Sequence, residues 1–376
     1  MECKQRRLLC IVNSIDAGGA ETFLMKIYRI LDKTEYQMDF YCMSIGEGFY
    51  EKEILALGGK VYHSMPKIKN FLKSFVSLKN VVKYNNYTAV MRISQHSLAT
   101  LDLLAAKLGG AKTLVQRSSN SYSHSKASRT LHVIFKWLPI HIPTIRIAPS
   151  TEAAVYTFGR NCICNGKVNL IKNAIPVEDF LFSQVKRSKT RKFYNIDDKL
   201  VIGHIGRFNG QKNHKFLIDI FSEIVKLHTN SILILVGKGE LENEVKSKVR
   251  TFDLSDKVIF TGVRSDVQDI LMAMDVFVFP SYYEGMPNTV IEAQATGLPC
   301  IISDTITKEA QITDLVKYLS LNTSPSQWAE TILNSYNYGR GQEEQKEYIK
   351  QNYKKSGYDV KTESENLMKL IFETDK

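Results

Sequence analysis

The sequence predicts an α/β protein with two Rossmann-like, doubly wound domains. Short apolar runs such as residues 8–12 and 232–236 alternate with amphipathic helical segments along the chain. These runs are continuously apolar, as is typical of parallel strands that are buried on both faces. The length of 376 residues is large for one hydrophobic core and suits two domains.

The domain boundary is predicted near the polar run SQVKRSKT at residues 183–190, which has the composition of a linker. The first domain is therefore expected to span residues 1–182 and the second residues 183–358. The final helical segment, residues 359–376, is expected by analogy to return to the first domain.

The composition is that of an ordinary globular protein, with 44% hydrophobic and 24% charged residues. No apolar run approaches the ~20 residues that a membrane span needs. The six cysteines form no CxxC pair and no cluster with zinc spacing. They are interpreted as reduced thiols of a cytoplasmic protein without a structural metal.

The charge is concentrated in the first domain. Residues 1–182 hold 24 Lys and Arg and 13 Asp and Glu, so 24 − 13 gives the whole net charge of +11. Between residues 54 and 151 the only acidic residue is Asp102. This imbalance predicts an anionic partner: a membrane surface, a phosphorylated acceptor or nucleic acid. Nucleic acid is disfavoured because the sequence contains no recognition module for it.

Two basic amphipathic stretches, residues 68–84 and 128–142, lie in this acid-poor region. Such helices usually pack on a sheet with a solvated charged face. They also suit contact with anionic lipid, and the scarcity of acidic residues around them favours that interpretation.

The first predicted strand, residues 8–12, leads through Gly18 and Gly19 into a helix over residues 21–31. The two glycines would let the backbone approach a ligand closely, although an ordinary βα turn has the same pattern. The stretch is not GxGxxG, so the dinucleotide-binding fingerprint is absent.

Two further strand ends in the first domain carry polar side chains. His96 follows the predicted strand at residues 87–93, and Arg117 and Asn120 lie at the end of the next strand. Ligands of open α/β sheets collect at such ends. A lone histidine is more often structural than catalytic, and Arg117 and Asn120 are candidate contacts for an acceptor.

The second domain opens with a strand and a glycine-bearing loop that carries Arg207 and Lys212. The two cations are either solvated surface charges or a means of neutralising a diphosphate on the ligand side of the strand. The buried strand at residues 232–236 ends at Gly237 and Gly239, and no Gly-Lys-Ser/Thr follows, so this is not a Walker loop.

The segment around residues 280–300 organises the rest of the chain. A strand at residues 276–279 leads through Gly285 and Met286 into a helix predicted to begin at Asn288 and to end at Gly297. Backbone N–H groups at such a helix start favour an anion. The candidate donors are those of Gly285, Met286, Asn288, Thr289 and Val290, whereas Pro287 has none.

Glu284 and Glu292 frame this anion site with seven residues between them. Because carboxylates would repel a bare phosphate, the ligand is expected to carry hydroxyl groups as well. A nucleotide-sugar satisfies both requirements, with its diphosphate on the N–H groups and its hydroxyls on the carboxylates.

Glu-x7-Glu within FVFPSYYEGMPNTVIEAQATGLPCIISD, together with GRFNGQKN, resembles the signature of retaining glycosyltransferases of family 4. The nearest likeness is to bacterial enzymes of capsule and exopolysaccharide synthesis. The resemblance is strong over residues 200–305 and collinear over residues 8–180. It implies the GT-B fold, in which two Rossmann-like domains face a central cleft.

The resemblance also implies residue roles. It assigns Arg207 and Lys212 to the donor diphosphate, Glu292 to the ribose and Glu284 to a sugar hydroxyl. The remaining implied positions are the Gly18–Gly19 loop near diphosphate and acceptor, His96 beside the sugar, and the backbone at Gly262 and Val263 against the base. One departure is Ala174, where the family usually has Gly after Asn173.

The predicted reaction is transfer of a hexose, with retention, from a nucleoside diphosphate sugar to a lipid-linked or glycan acceptor in surface polysaccharide synthesis. A UDP-sugar is the expected donor. No Asp-x-Asp pair occurs, so neither metal nor other cofactor is expected. The alternatives are a sugar-nucleotide hydrolase or epimerase on the same fold, and an inactive sugar-nucleotide-binding module. The expected location is cytoplasmic, as a peripheral protein on the inner face of the plasma membrane.

Overall fold

The structure is a computed structural model that describes residues 5–16, 18–65, 70–94, 96–119, 126–336 and 339–373, with only the backbone at 126–129. Contacts divide the chain into two compact units. Unit 1 comprises Met1–Ile175 with Gly357–Lys376, and unit 2 comprises Pro176–Ser356. The sequence placed the division after residue 182, and it assigned the last helix to the first domain by analogy.

Unit 1 contains a seven-stranded sheet in the order β3-β2-β1-β4-β5-β6-β7, with every neighbouring pair parallel. Its strands are β1 (Arg6–Val12), β2 (Tyr36–Cys42), β3 (Val61–His63), β4 (Ala89–Ser94), β5 (Thr113–Ser118), β6 (Ile145–Ala148) and β7 (Asn169–Leu170).

Helices cover both faces of this sheet. They are α1 (Gly19–Ile30), α2 (Glu51–Ala56), α3 (Phe71–Tyr84), α4 (Leu101–Leu108), α5 (Lys126–Ile134), α6 (Trp137–His141), α7 (Thr151–Phe158) and α8 (Arg160–Cys164). Alternate residues of β1 serve the two faces: Leu8 and Cys10 pack in the core that includes α1, whereas Leu9 and Ile11 pack in the core beneath α3 and α4. Burial on both faces explains the continuously apolar sequence of this strand.

Unit 2 contains a six-stranded sheet in the order β10-β9-β8-β11-β12-β13, again parallel throughout. Its strands are β8 (Leu200–Ile205), β9 (Ser231–Val236), β10 (Val258–Gly262), β11 (Val276–Phe279), β12 (Cys300–Ser303) and β13 (Val316–Leu319).

The helices of unit 2 are α9 (Val177–Phe180), α10 (Gln184–Tyr194), α11 (His214–Leu227), α12 (Glu242–Thr251), α13 (Val267–Ala273), α14 (Asn288–Ala295), α15 (Pro325–Leu333) and α16 (Glu343–Lys355). Residues of α11, α12 and α15 form one core with the sheet, including Phe221, Val245 and Trp328. The last helix of the chain, α17 (Val360–Phe372), belongs to unit 1, where Leu367 and Met368 lie in the core shared with α1.

The polar run predicted as a linker is helix α10. Its arginines Arg187 and Arg191 are four residues apart and therefore lie on one face. Arg187 donates to the carbonyl of Met274 at 2.9 Å, Arg191 donates to that of Ala273 at 2.9 Å, and both pair with Asp275. Because these charges have partners at the end of α13, the run is ordered on unit 2 instead of forming a solvated connection.

Each sheet reverses its strand order at one place, between β1 and β4 in unit 1 and between β8 and β11 in unit 2. In open parallel sheets, ligands bind beyond the carboxyl ends of the strands at such a reversal. The loops after these four strands carry Gly18, His96, Lys212 and Glu284. The topology thus places the main predicted site residues at the ligand-binding edge of their own sheet.

Within the described parts of the chain, no helix has the length and apolar character needed to cross a membrane.

Candidate active site

Two of the four charged residues that the sequence analysis assigned to the donor, Lys212 and Glu284, are in direct contact in unit 2. The ammonium Nζ of Lys212 lies 2.7 Å from Oε1 of Glu284, and the two side chains are only 15% and 9% exposed. Lys212 follows β8 and Glu284 follows β11, which are neighbours in the sheet. An ion pair this far removed from water is held much more firmly than a surface pair.

Lys212 is held in place by its surroundings as well as by Glu284. Its backbone N–H donates to Oδ1 of Asn209 at 3.2 Å, and its ammonium lies 4.5 Å from the centre of the Phe279 ring. Its Cδ and Cε would lie 3.1 and 3.2 Å from a Cβ on Gly206. The lysine stem therefore occupies space that only glycine at position 206 leaves open.

A second link joins the same two loops. The side-chain amide Nε2 of Gln211 donates to the carbonyl of Tyr283 at 2.8 Å, and the N–H of Tyr282 donates to the carbonyl of Gln211 at 2.9 Å. These contacts fix the register of Lys212 against Glu284. Gln211 was not singled out from the sequence, although it lies inside the GRFNGQKN string.

Two buried histidines lie beneath this pair and were also missed. His204 is wholly buried, donates from Nδ1 to the carbonyl of Val278 at 2.9 Å and stacks on Phe279 with 5.3 Å between ring centres. His214 stacks on Phe208 at 4.1 Å. Burial lowers the pKa of His204 well below its usual value and, with the nearby charge of Lys212, lowers the pKa of His214 to about 4. Both rings are neutral at pH 7, so Lys212 is the cation among these three side chains.

Arg207 differs from Lys212 in its environment. Its side chain is 71% exposed and pairs with the exposed Glu240 at 3.2 Å. The two cations predicted to act together therefore have separate carboxylate partners. Among the described residues, no group of three or more His, Cys, Asp or Glu side chains is arranged to hold a metal ion.

Helix α14 begins at Asn288, as predicted, but its N-cap is the preceding residue and not Asn288 itself. Pro287 occupies the N-cap position and Asn288 is the first helical residue. The N–H of Val290 donates to the carbonyl of Pro287 at 3.0 Å, and Val290 is fully buried. Val290 therefore cannot offer its N–H to a ligand in this arrangement. Glu292 lies half-buried on the second turn.

The loop before α14 is open. Gly285 is exposed and no atom would lie within 4 Å of a Cβ added to it. Met286 and Thr289 are half-buried, and Asn288 is exposed. This segment can change partners without disturbing the core.

Gly237 packs against the neighbouring loop of the sheet. Its φ is +136°, and a Cβ there would lie 2.2 Å from the carbonyl oxygen of Gly206. Its N–H donates to the carbonyl of Gly262 at 2.9 Å. Gly262 has a φ of +69°, and the side chain of Val263 beside it is 73% exposed. Gly237 therefore shapes the strand ends, while Val263 faces solvent.

In unit 1, His96 caps the short 3₁₀ turn Ser97–Thr100 that follows β4. The N–H of Leu98 donates to Nδ1 of His96 at 3.2 Å. Since a backbone N–H can only donate, Nδ1 carries the lone pair, and the neutral ring has its proton on Nε2. His96 can therefore act as a hydrogen-bond donor through Nε2.

The Gly18–Gly19 loop is shaped by a neighbouring carboxylate. Gly18 is the N-cap of α1, and a Cβ on it would lie 2.3 Å from Oε2 of Glu21. Gly19 opens the helix, with no atom within 4 Å of an added Cβ. Burial raises the pKa of Glu21, whose carboxylate lies over the first turn. This carboxylate already occupies the anion-favouring end of α1.

Arg117 points into unit 1. It is 2% exposed, its guanidinium lies 3.6 Å from the centre of the Phe23 ring, and Nη2 donates to Oδ1 of Asn173 at 2.8 Å. Burial lowers its pKa to about 9. An acceptor could reach this group only if Phe23 or Asn173 moved. The other predicted acceptor residue, Asn120, lies outside the described residues.

Residues 186–355 match the family model described as glycosyl transferases group 1. The chain is 33% identical over 367 residues to the Bacillus subtilis (strain 168) protein named "Putative glycosyltransferase EpsF", covering 96% of this chain and 94% of that one. It is 27% identical over 298 residues to the Escherichia coli UDP-Gal:alpha-D-GlcNAc-diphosphoundecaprenol alpha-1,3-galactosyltransferase, covering 76% of each. Among solved structures, Anabaena Alr3699/HepE in complex with UDP and glucose matches with a TM-score of 0.72 and 17% identity, over 97% of this chain and 99% of that one.

Proposed function

Because the chain belongs to the group 1 glycosyltransferases of polysaccharide biosynthesis and has the GT-B fold, we propose that it transfers a hexose, with retention, from a UDP-sugar to a lipid-linked or glycan acceptor. The observation that carries the proposal is the 2.7 Å contact between Lys212 and Glu284 at the strand-order reversal of unit 2.

This contact brings together the two chemical groups that a nucleotide-sugar requires. Lys212 supplies positive charge for a diphosphate, and Glu284 supplies a hydrogen-bond acceptor for a sugar hydroxyl. Glu292 lies on the second turn of α14, about one turn beyond the loop that bears Glu284, which suits the ribose hydroxyls. A site for a simple anion would not combine a lysine with two carboxylates.

In the proposed reaction the bond between the anomeric carbon and the diphosphate oxygen breaks, and the acceptor oxygen bonds to the same face of that carbon. The acceptor proton passes to an oxygen of the leaving diphosphate. Lys212, Arg207 and the N–H groups of Asn288 and Thr289 stabilise the charge that develops on this leaving group. Glu284 orients the sugar.

The choice of donor and acceptor rests on similar proteins. A relative covering 76% of the chain is named for a UDP-galactose donor and a diphosphoundecaprenol acceptor, and a structural neighbour was solved with UDP and glucose. An acceptor with a lipid diphosphate also suits the net charge of +11, all of which falls in residues 1–182.

The decisive assay measures UDP release from a panel of UDP-sugars, with and without a polyprenyl-diphosphate sugar as acceptor. Release that depends on the acceptor supports the transferase. Release that does not depend on the acceptor indicates a hydrolase on the same fold. Binding without release in either case indicates an inactive binding module and ends the proposal. The anomeric configuration of the product tests retention.

We also propose that the reaction needs no metal, because Lys212 and the α14 amides can neutralise the diphosphate. Turnover is expected to persist after treatment with EDTA. A loss of turnover that Mg²⁺ or Mn²⁺ restores would contradict this part of the proposal.

The protein is further proposed to act as a peripheral protein on an anionic membrane surface, through α3. The side chains of Leu72 and Val76 are 73% and 51% exposed, and they line a shallow pocket of about 420 Å³ with Lys73. Lys73 and Lys83 are exposed on the same helix, whose sequence contains no acidic residue. Apolar side chains beside lysines are the chemistry of an interfacial helix.

Sedimentation with vesicles containing anionic lipid tests the membrane proposal. Binding is expected to weaken in high salt, because lysine attraction to lipid is screened. Leu72→Ser should weaken it further, whereas Leu227→Ser, at an exposed leucine of unit 2, should not. Equal effects of the two substitutions, or no binding, would contradict a role for α3.

A further inference from the structure

His96 lies beside a buried polar cluster that the proposed reaction does not use. The centre of this cluster is His132 of α5, which is 2% exposed. It lies between the turn that begins at Ser97 and Tyr156 of α7, with which its ring stacks at 4.4 Å and an interplanar angle of 7°. His132 was not singled out from the sequence, where it appears as one polar residue in an amphipathic helix.

The contacts of His132 select one protonation state. The N–H of Ser97 donates to Nδ1 at 3.2 Å, so this nitrogen must carry a lone pair. Nε2 lies 3.1 Å from the carbonyl oxygen of Tyr156, which can only accept, so the proton is on Nε2. The hydroxyl of Ser97 adds a contact at 2.8 Å to Nδ1.

The neutral form of His132 is favoured by its burial. Burial lowers the pKa of His132, and the neighbouring Lys136 and His96 act in the same direction. Among the described residues, the groups that face the ring are His96 and Ser97 from the turn, Tyr156 from α7 and Lys136 beyond α5. None of them is a carboxylate that would favour the imidazolium.

His132 is linked to His96 through the backbone and through space. Ser97 is the residue after His96, so the hydrogen bond from the Ser97 N–H to His132 fixes the peptide bond between His96 and Ser97. The rings of His96 and His132 lie edge to face with 5.9 Å between centres. The orientation of His96 Nε2 therefore depends on the position of His132.

We propose that His132 is a positioning residue that holds the His96–Ser97 turn and thereby sets the direction of Nε2 of His96. This inference rests on the proposed function and on the place beside the transferred sugar that the family resemblance implies for His96. It assigns to α5 and α7 a part in the reaction that acts through His96.

The test compares three substitutions in the full-length protein. His132→Asn keeps an acceptor near the place of Nδ1, His132→Gln keeps a donor near the place of Nε2 but offers Ser97 no acceptor, and His132→Phe keeps only the stacking. Each is made in the natural sequence and together with His96→Ala. Acceptor-dependent UDP release, UDP affinity and thermal unfolding are measured for each protein.

We expect His132→Phe and His132→Gln to lower kcat by about 10- to 100-fold, since displacement of a reacting group by about 1 Å has effects of this size. His132→Asn should retain most of the activity. UDP affinity should stay within about twofold for all three. In the His96→Ala background the same substitutions should change kcat by less than about twofold, because the group they position is gone.

Equal losses in both backgrounds would show a merely structural role and overturn the inference, as would an unchanged kcat in His132→Phe. If His132→Phe does not fold, the Asn and Gln variants still form the decisive pair. If the natural protein transfers no sugar, the proposed function fails and the NMR signals of the His96 ring become the readout. These signals should shift in His132→Gln and not in His132→Asn, and identical signals in both would overturn the inference.

Discussion

Glu284→Gln removes the charge of the carboxylate that contacts Lys212 and keeps its shape. The contact measures 2.7 Å between side chains that are 15% and 9% exposed. A hydrogen bond to a charged partner contributes about 1.5–3 kcal/mol and a neutral one about 0.5–1.5 kcal/mol. The substitution should therefore lower the free energy of unfolding of unit 2 by about 1–2 kcal/mol, which corresponds to a Tm lower by about 2–8 °C.

Glu284→Gln should preserve or strengthen UDP binding but lower turnover. Without ligand, Glu284 compensates the charge of Lys212, so a diphosphate must compete with it. In the glutamine variant this competition is weaker, and UDP should bind as tightly as before or up to about tenfold more tightly. Turnover should fall by about 10- to 150-fold, because the sugar loses a charged hydrogen-bond acceptor worth about 1.5–3 kcal/mol.

Isothermal titration with UDP and steady-state kinetics with a UDP-sugar measure the two effects separately. The matched control is Glu244→Gln, which removes the carboxylate of the Lys215–Glu244 pair. That contact is as short, at 2.6 Å, but its side chains are 55% and 53% exposed, so little change is expected. Equal losses of UDP affinity and turnover in Glu284→Gln would refute the separate roles of Lys212 and Glu284.

The remaining predictions concern the supports of this pair. In a urea titration, Gly237→Ala should lower the free energy of unfolding of unit 2 by about 3 kcal/mol or more, because the new Cβ would lie 2.2 Å from a carbonyl oxygen at a φ of +136°. Gly285→Ala has no atom within 4 Å of its new Cβ, so it should change this free energy by less than about 0.5 kcal/mol in the same titration. Burial lowers the pKa of His214 to about 4, so as the pH falls below 6.5 this histidine is protonated in the unfolded chain before it is protonated in the folded one. Stability should decrease by about 3 kcal/mol between pH 6.5 and 4, and His214→Phe should remove that part of the dependence. Lys212→Ala should weaken UDP binding while leaving the fold intact, and an unchanged Kd would exclude its proposed role.

The order of the strands decides which predicted residues meet, and the sequence does not contain that order in a readable form. The apolar runs and the glycine-bearing loops indicate that Lys212 and Glu284 both lie at carboxyl ends of strands. Their contact requires in addition that β8 and β11 be neighbours, although two strands lie between them in the chain. The family resemblance assigned the two residues to one ligand, but neither it nor the periodicity was used to predict that the two strands are neighbours.

Side-chain direction was the second property that the sequence left open. Arg117 lies at the end of β5 and Arg207 follows β8, so the two looked alike as cations at a ligand-binding edge. Arg117 lies against Phe23 inside unit 1, whereas Arg207 is 71% exposed. The buried guanidinium of Arg117 is held by this aromatic ring, by the carbonyl of Ser118 and by the amide oxygen of Asn173, so the charge of an arginine does not reveal whether it faces solvent.

The supporting residues were missed for a related reason. His132, His204 and Gln211 act through backbone groups of residues distant in the chain, namely Ser97, Val278 and Tyr283. A polar side chain that bonds to a backbone atom leaves no motif, because every residue type carries that atom. Only the folded arrangement identifies such residues.

Two strand–loop–helix units of this chain look equally suited to an anion, and the third residue of each helix distinguishes them. In α1 the residue three positions after the N-cap Gly18 is Glu21, whose carboxylate folds back over the first turn. In α14 the corresponding residue after Pro287 is Val290, which is buried and has no polar group to place there. The carboxylate of Glu21 already places negative charge at the end of the helix that favours an anion. A diphosphate at α1 would meet the carboxylate of Glu21, whereas at α14 it would meet Lys212 and no acidic side chain at the corresponding position, so we predict that α14 binds the diphosphate of the proposed donor.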